Sequence, residues 1–235
     1  MIAVPGFCTC GWKMALSVFL FLELLVYGAA FICGIVTAAL VTVTQGEFGS
    51  RCILYGAAKW NTTSKSLGLV QFGSGSLCGF ISAVSVVIAV YCFCTVFYFI
   101  YANCIEGASR GLRWLTACLV MSCIYLFFLL VSGCLLRVGL NSFCQSILAE
   151  HEIKSCSDAE KRNWTAPYNG SRFYQNFTSA ETSTWVNFFF WIVVLALLIV
   201  QRKQGDDFKP LNGANSDGTA SSGETDRLVP SGPRP

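Results

Sequence analysis

The chain has 235 residues, a formal net charge of +3, 54% apolar residues and only 12% charged ones. That charged share is about half the globular norm, and the apolar residues gather in long runs, which excludes an ordinary soluble domain and points to an integral membrane protein. The small net charge, with no basic stripe, excludes nucleic-acid binding.

Residues 1–13 form a short leader carrying Cys8, Cys10 and Lys13. The first apolar run, 14–43, contains one charge, Glu23. Lys13 and Gly28-Ala29-Ala30 could frame a signal peptide. The run continues to Val43, however, and about 20 residues are needed to span a bilayer, so an uncleaved span is expected. Residues 44–77 are polar, with Arg51, Cys52, a glycosylation triplet at Asn61 and a linker-like Gly73-Ser74-Gly75-Ser76 tract. The second span, 78–101, is uncharged, and 102–112 is a connector with Cys104, Glu106 and Arg110. The third span is 113–136, and the long polar loop is 137–184. A fourth span, 185–201, is stopped by Arg202-Lys203, and the Gly-, Ser-, Asp- and Pro-rich tail 202–235 reads as disordered. Each span must satisfy its own backbone hydrogen bonds and is therefore a helix. The fold class expected is an all-α integral membrane protein: a four-helix transmembrane bundle with glycosylated, disulfide-linked lumenal loops and a disordered cytosolic tail.

Four spans put both termini on one side. Lys13, Arg110, Arg113, Arg202 and Lys203 lie close to span ends on that side, against Arg137 opposite. The positive-inside rule then makes the termini cytosolic. The Asn-x-Ser/Thr triplets agree: Asn61, Asn163, Asn169 and Asn176 all fall in the two longer loops, and no asparagine elsewhere begins one.

With that orientation Cys52, Cys78, Cys144 and Cys156 face the oxidising side, where four cysteines allow three pairings. Pairing within each loop closes the shorter chains. Pairing between loops would tie them into one cap. Cys8, Cys10 and Cys104, at the cytosolic face, are candidates for S-palmitoylation, with packing as the competing role. Cys8-Thr9-Cys10 has no second ligand pair and is no metal site.

Glu23 is expected at headgroup level near Arg113, and Arg137 is expected to snorkel to the opposite headgroups. Ala30, Gly34 and Ala38 recur at intervals of four, a small-residue ridge that lets another helix approach, within the bundle or in a second copy.

The templates for enzyme chemistry come up empty. The single histidine, His151, stands among loop charges, so no histidine-based zinc motif can form. No Gly-x-Ser-x-Gly elbow occurs, and a lipid-modifying enzyme would lack a nucleophile–base pair. No proline breaks a span and few polar residues mark the midplane, which argues against a pore made by one copy. In the tail, Glu224 stands four residues before Leu228-Val229, the spacing of an acidic dileucine sorting signal of the kind clathrin adaptors read.

Several stretches are distinctive together: Thr44-Gln45-Gly46-Glu47-Phe48 with Arg51-Cys52-Ile53-Leu54-Tyr55-Gly56, Cys104-Ile105-Glu106 with Arg110-Gly111, and Leu130-Val131-Ser132 with Leu136-Arg137-Val138-Gly139. Ala180-Glu181-Thr182-Ser183 with Trp185-Val186-Asn187, and Glu224-Thr225-Asp226, complete the set. This pattern resembles the transmembrane protein 179 family from about Met14 to Val229. Met14-Ala15-Leu16-Ser17 is similar to the family's usual start, which leaves 1–13 as an extension outside the pattern. The resemblance implies a four-span protein with no established catalytic activity and no active-site residues to carry over. The long loop lacks the Cys-Cys-Gly of tetraspanins, and the first loop lacks the Gly-Leu-Trp-x-x-Cys of claudins.

The function expected is that of a non-enzymatic multi-pass membrane glycoprotein of the secretory and endolysosomal system and the cell surface. Its home would be the plasma membrane or an endosomal, lysosomal or secretory-granule membrane. It would act by lateral association or as trafficking scaffold or cargo, needing no cofactor. Its partners would be the lipid bilayer, other membrane proteins, clathrin adaptors through the tail, or a second copy. The alternative is a small-molecule or ion conduit built from several copies.

Overall fold

A computed structural model describes residues 8–105, 112–149 and 153–207, with side chains placed for 21–101, 113–149 and 153–203. Four long helices dominate it: α1 (Cys8–Glu47), α2 (Gly75–Ile105), α3 (Leu112–Leu148) and α4 (Phe173–Asp207). Each contains a stretch long and apolar enough to cross a membrane. The outward faces carry Phe21, Val87, Phe97, Phe127 and Phe189, all more than half exposed, a surface suited to hydrocarbon and not to water.

Neighbouring helices run antiparallel. Along α1 and α4 the paired positions are Glu23 with Gln201, Thr37 with Thr184 and Thr44 with Asn176. Along α3 and α4 they are Tyr125 with Trp191, Gly133 with Trp185 and Arg137 with Glu181. α1 packs on both α2 and α4, α4 also packs on α3, and of these neighbouring pairs α2 and α3 meet least. The start of α1 and the end of α4 therefore share one end of the bundle, and the connections α1–α2 and α3–α4 share the other.

Two apolar clusters fill the interior. The one toward the termini is centred on Trp191, fully buried, with the rings of Tyr27, Tyr91 and Tyr125 around it at 4.9–5.9 Å. The other spans the far ends of the helices and the connections, and contains Phe48, Leu67, Phe143, Phe173 and Phe177.

The polar connections fold more than their composition announces. α3 continues past Leu136 to Leu148, and α4 begins at Phe173, so the stretch 137–184 is helical at both flanks. Residues of the first connection form an antiparallel hairpin, β1 (Ala57–Asn61) with β2 (Ser66–Gln71). The Gly73-Ser74-Gly75-Ser76 tract is no loose linker. Gly73 donates its N–H to the Cys52 carbonyl at 3.0 Å, a Cβ there would overlap the Leu54 carbonyl, and α2 starts at Gly75.

Two charged residues stand at opposite ends of the bundle, and one of them sits differently from its sequence placement. Glu23 faces inward, fully buried, and accepts a hydrogen bond from Gln201 Nε2 at 3.0 Å. Its level, opposite Gln201 and the basic stop, is still close to the bundle end. Arg137 Nη1 reaches Glu181 Oε1 of α4 at 3.4 Å while most of its side chain stays exposed.

Candidate functional site

The end of the bundle that bears the α1–α2 and α3–α4 connections is closed by a small folded cap. Its base is aromatic. Trp164 stacks edge-on against Phe48 at 5.4 Å and Phe173 at 5.5 Å, and Phe173 meets Phe143 at 5.5 Å. The Trp164 Nε1–H donates to the Ala159 carbonyl at 3.1 Å, which satisfies the one polar group of the ring. Gly170 lies against the indole face, where any Cβ would overlap it.

The two connections are sewn together by backbone. Leu67 donates its N–H to the Asn163 carbonyl at 2.8 Å, and its own carbonyl accepts from Thr165 N at 2.9 Å. The second connection thereby adds a short parallel bridge to β2. Ala58 N–H donates to Ser146 Oγ at 3.2 Å, fastening the hairpin to α3, and Asn169 N–H donates to the Glu47 carbonyl at 3.1 Å, fastening the second connection to the end of α1. Glu160, in a 3-10 turn over Asp158–Lys161, accepts from Gln175 N at 2.9 Å and so pairs one of the free amides in the first turn of α4.

Two disulfides, Cys52–Cys78 and Cys144–Cys156, close the cap, each tying a connection to a helix that flanks it, α2 for the first and α3 for the second. Of the three pairings open to the sequence, the loop-internal one forms. The tie between connections falls instead to the Leu67–Trp164 bridge and the aromatic base.

Asn61, Asn163 and Asn169 are exposed on the cap, whereas Asn176 is half-buried in the first turn of α4. Asn61 Oδ1 accepts from Thr63 N at 2.9 Å and Ser64 N at 3.3 Å, turning the hairpin. Asn169 Oδ1 accepts from Ser171 N at 3.2 Å. Asn176 Nδ2 donates to Thr44 Oγ1 at 3.2 Å, across to α1. Ala30, Gly34 and Ala38 lie on the buried side of α1, and a Cβ on Gly34 would stand 3.0 Å from the Ser85 carbonyl and 3.2 Å from Ala89 Cβ of α2. The side chains of Cys8, Cys10 and Cys104 and the tail residues Glu224, Leu228 and Val229 lie outside the described residues.

Inside the bundle four hydroxyls turn back on their own helices, while Thr37 and Ser183 bond across between α1 and α4. Ser85 donates to Ile81 O, Thr95 to Tyr91 O, Ser122 to Cys118 O and Thr184 to Ala180 O, all at 2.8–2.9 Å. Among the described residues no three His, Cys, Asp or Glu side chains gather as a metal site. Sequence reading had passed over Trp164, Leu67 and Glu160. The signal for the hairpin was present, in the polar run Asn61–Lys65 between Ala57–Trp60 and Leu67–Val70.

A family model described as the transmembrane protein 179/179B claudin domain matches residues 19–229. Curated relatives named transmembrane protein 179B are similar over most of their length. The zebrafish (Danio rerio) protein is 45% identical over 84% of this chain and 90% of its own. The human (Homo sapiens) protein is 43% identical over 92% and 97%. The mouse (Mus musculus) protein is 41% identical over 88% and 93%. No solved structure matches. The missing Gly-Leu-Trp-x-x-Cys pattern therefore does not separate this chain from domains classed with claudins. This multi-pass membrane protein belongs to the transmembrane protein 179/179B family.

Proposed function

We propose that the protein is a non-enzymatic, N-glycosylated membrane protein that works by lateral association, as scaffold or cargo in the traffic between secretory, endolysosomal and surface membranes. The cap is its recognition surface and faces the lumen or the cell exterior, and the termini are cytosolic. One observation carries the orientation: all four Asn-x-Ser/Thr triplets and both disulfides fall at the same end of the bundle, opposite the start of α1 and the end of α4. Disulfides and N-glycans belong to the same compartment, so the two markers support one another. The hydrogen-bonded, aromatic-based cap offers a shaped surface on which a partner's ectodomain can dock. The tail supplies a second contact, with Glu224, Leu228 and Val229 as the segment for clathrin adaptors.

Proximity labelling from a tag on the tail, run beside the Leu228→Ala/Val229→Ala variant, tests this reading. The expected result is a reproducible set of membrane-protein neighbours that changes when the aliphatic pair is removed. Neighbours no richer than bulk membrane in both variants would sink it.

A further inference from the structure

The four asparagines of the glycosylation triplets are not equivalent in this fold. Transfer of a glycan replaces one hydrogen on the side-chain amide nitrogen, and the Ser or Thr hydroxyl two residues on must come round to that amide. Asn61 and Asn169 are already bent this way: each is exposed, and each Oδ1 accepts the backbone N–H two residues later, Thr63 and Ser171 respectively, which brings the hydroxyl residue alongside and leaves the amide nitrogen out of that bond. Asn163 is exposed and lies outside any helix.

Asn176 differs in three ways. Its amide nitrogen is already in use, donating to Thr44 Oγ1 at 3.2 Å. The chemistry fixes that direction, because the Thr44 hydroxyl hydrogen goes to the Leu40 carbonyl at 2.8 Å, so Thr44 has only lone pairs to offer and the asparagine must present nitrogen. Second, Asn176-Phe177-Thr178 is helical, with Asn176 N–H bonded to the Arg172 carbonyl at 2.9 Å. Positions i and i+2 of a helix do not face each other, so the Thr178 hydroxyl is turned away from the Asn176 amide. Third, Phe177 is 1% exposed in the apolar cluster, and α4 continues unbroken into the apolar run at Trp185. Unwinding the triplet would pull Phe177 out of that cluster. Only about 14 Å of helix separates Asn176 from Trp185, at 1.5 Å per residue.

We infer that Asn176 is a structural amide that pins α4 to α1 and carries no glycan, and that the glycans are confined to the exposed Asn61, Asn163 and Asn169. The inference rests on the proposed orientation, with the cap on the lumenal side.

The test is glycosidase digestion and gel mobility of the full chain expressed in glycosylating cells. The variants are Asn61→Gln, Asn163→Gln, Asn169→Gln and Asn176→Gln, with Thr178→Ala added because it destroys the fourth triplet while leaving Asn176 in place. The expected pattern is a glycosidase-sensitive parent, a one-glycan loss in at least one of the first three variants, and unchanged mobility for Asn176→Gln and Thr178→Ala. A one-glycan loss in both of these last two would overturn the inference while leaving the orientation standing. A parent insensitive to glycosidase would overturn both. A second readout addresses the structural role. Asn176→Ala and Thr44→Val should each lower the unfolding temperature in detergent, and the pair should lower it by less than the two shifts added. Full additivity would show that the two side chains do not work together.

Discussion

Gly34 shows how one missing Cβ sets the approach of two helices. The space beside it is filled by the Ser85 carbonyl at 3.0 Å and Ala89 Cβ at 3.2 Å, and Ala30 and Ala38, one turn away on either side, are buried with it. The face is thus in use inside the monomer. A leucine there would force α1 from α2, an overpacking cost of about 1–3 kcal/mol or more. Gly34→Leu is expected to lower the unfolding temperature of the detergent-solubilised protein and to leave its crosslinked oligomers unchanged. Loss of oligomers at an unaltered unfolding temperature would make the ridge a surface for self-association instead. Arg137 is a contrast at the same scale. Its side chain is 72% exposed and its contact with Glu181 is 3.4 Å, so the pair contributes at most about 1 kcal/mol, and neither residue is what holds α3 to α4.

At the scale of elements, the two disulfides enclose sequence separations of 26 and 12 residues. Loop-closure entropy gives about 3.5 and 2.8 kcal/mol for these, upper figures here because membrane-anchored helices already hold the loop ends near each other. Cys52→Ser/Cys78→Ser is therefore expected to lower the unfolding temperature more than Cys144→Ser/Cys156→Ser, read by thermal unfolding in detergent under non-reducing conditions. The reverse order would mean that contacts around the second bridge outweigh loop closure. The membrane helices were legible in the sequence because a bilayer demands one thing of a span, a long uncharged apolar run, and Leu24–Val43 or Cys78–Tyr101 meets it without help from neighbours. The cap was not legible to the same degree. Its order comes from contacts between residues far apart in the chain, such as Leu67 with Asn163 and Thr165, and Trp164 with Phe48. Local pattern reports such pairings poorly. For the same reason the helical ends Val138–Leu148 and Phe173–Thr184 read as loop: their polar faces hide that Phe143, Ile147, Phe173 and Phe177 all turn into one cluster. Asn176 belongs with them, since a triplet reads alike in a turn or a helix.

For the whole molecule, the rival to lateral association is a conduit, and the bundle interior weighs against it. A path for ions or polar solutes needs hydroxyls and amides aimed at a shared lumen. Ser85, Thr95, Ser122 and Thr184 instead spend their hydrogens on carbonyls one turn back along their own helices. The level at which a conduit would need water is occupied by Trp191 with Tyr27, Tyr91 and Tyr125 packed around it. Opening such a cluster in every copy would expose rings worth several kcal/mol of burial in the monomer alone. A pore shared between copies would have to run along outer faces, where Phe97, Phe127 and Phe189 stand exposed and apolar. Reconstituted into liposomes, the purified protein is therefore expected to pass ions and small solutes no faster than protein-free vesicles. Trp191→Ala, which hollows the cluster, should leave that background flux unchanged if the aromatic rings are packing. Selective flux through the parent protein, abolished or enlarged by that substitution, would place a gate at Trp191 and overturn the association reading in favour of the conduit.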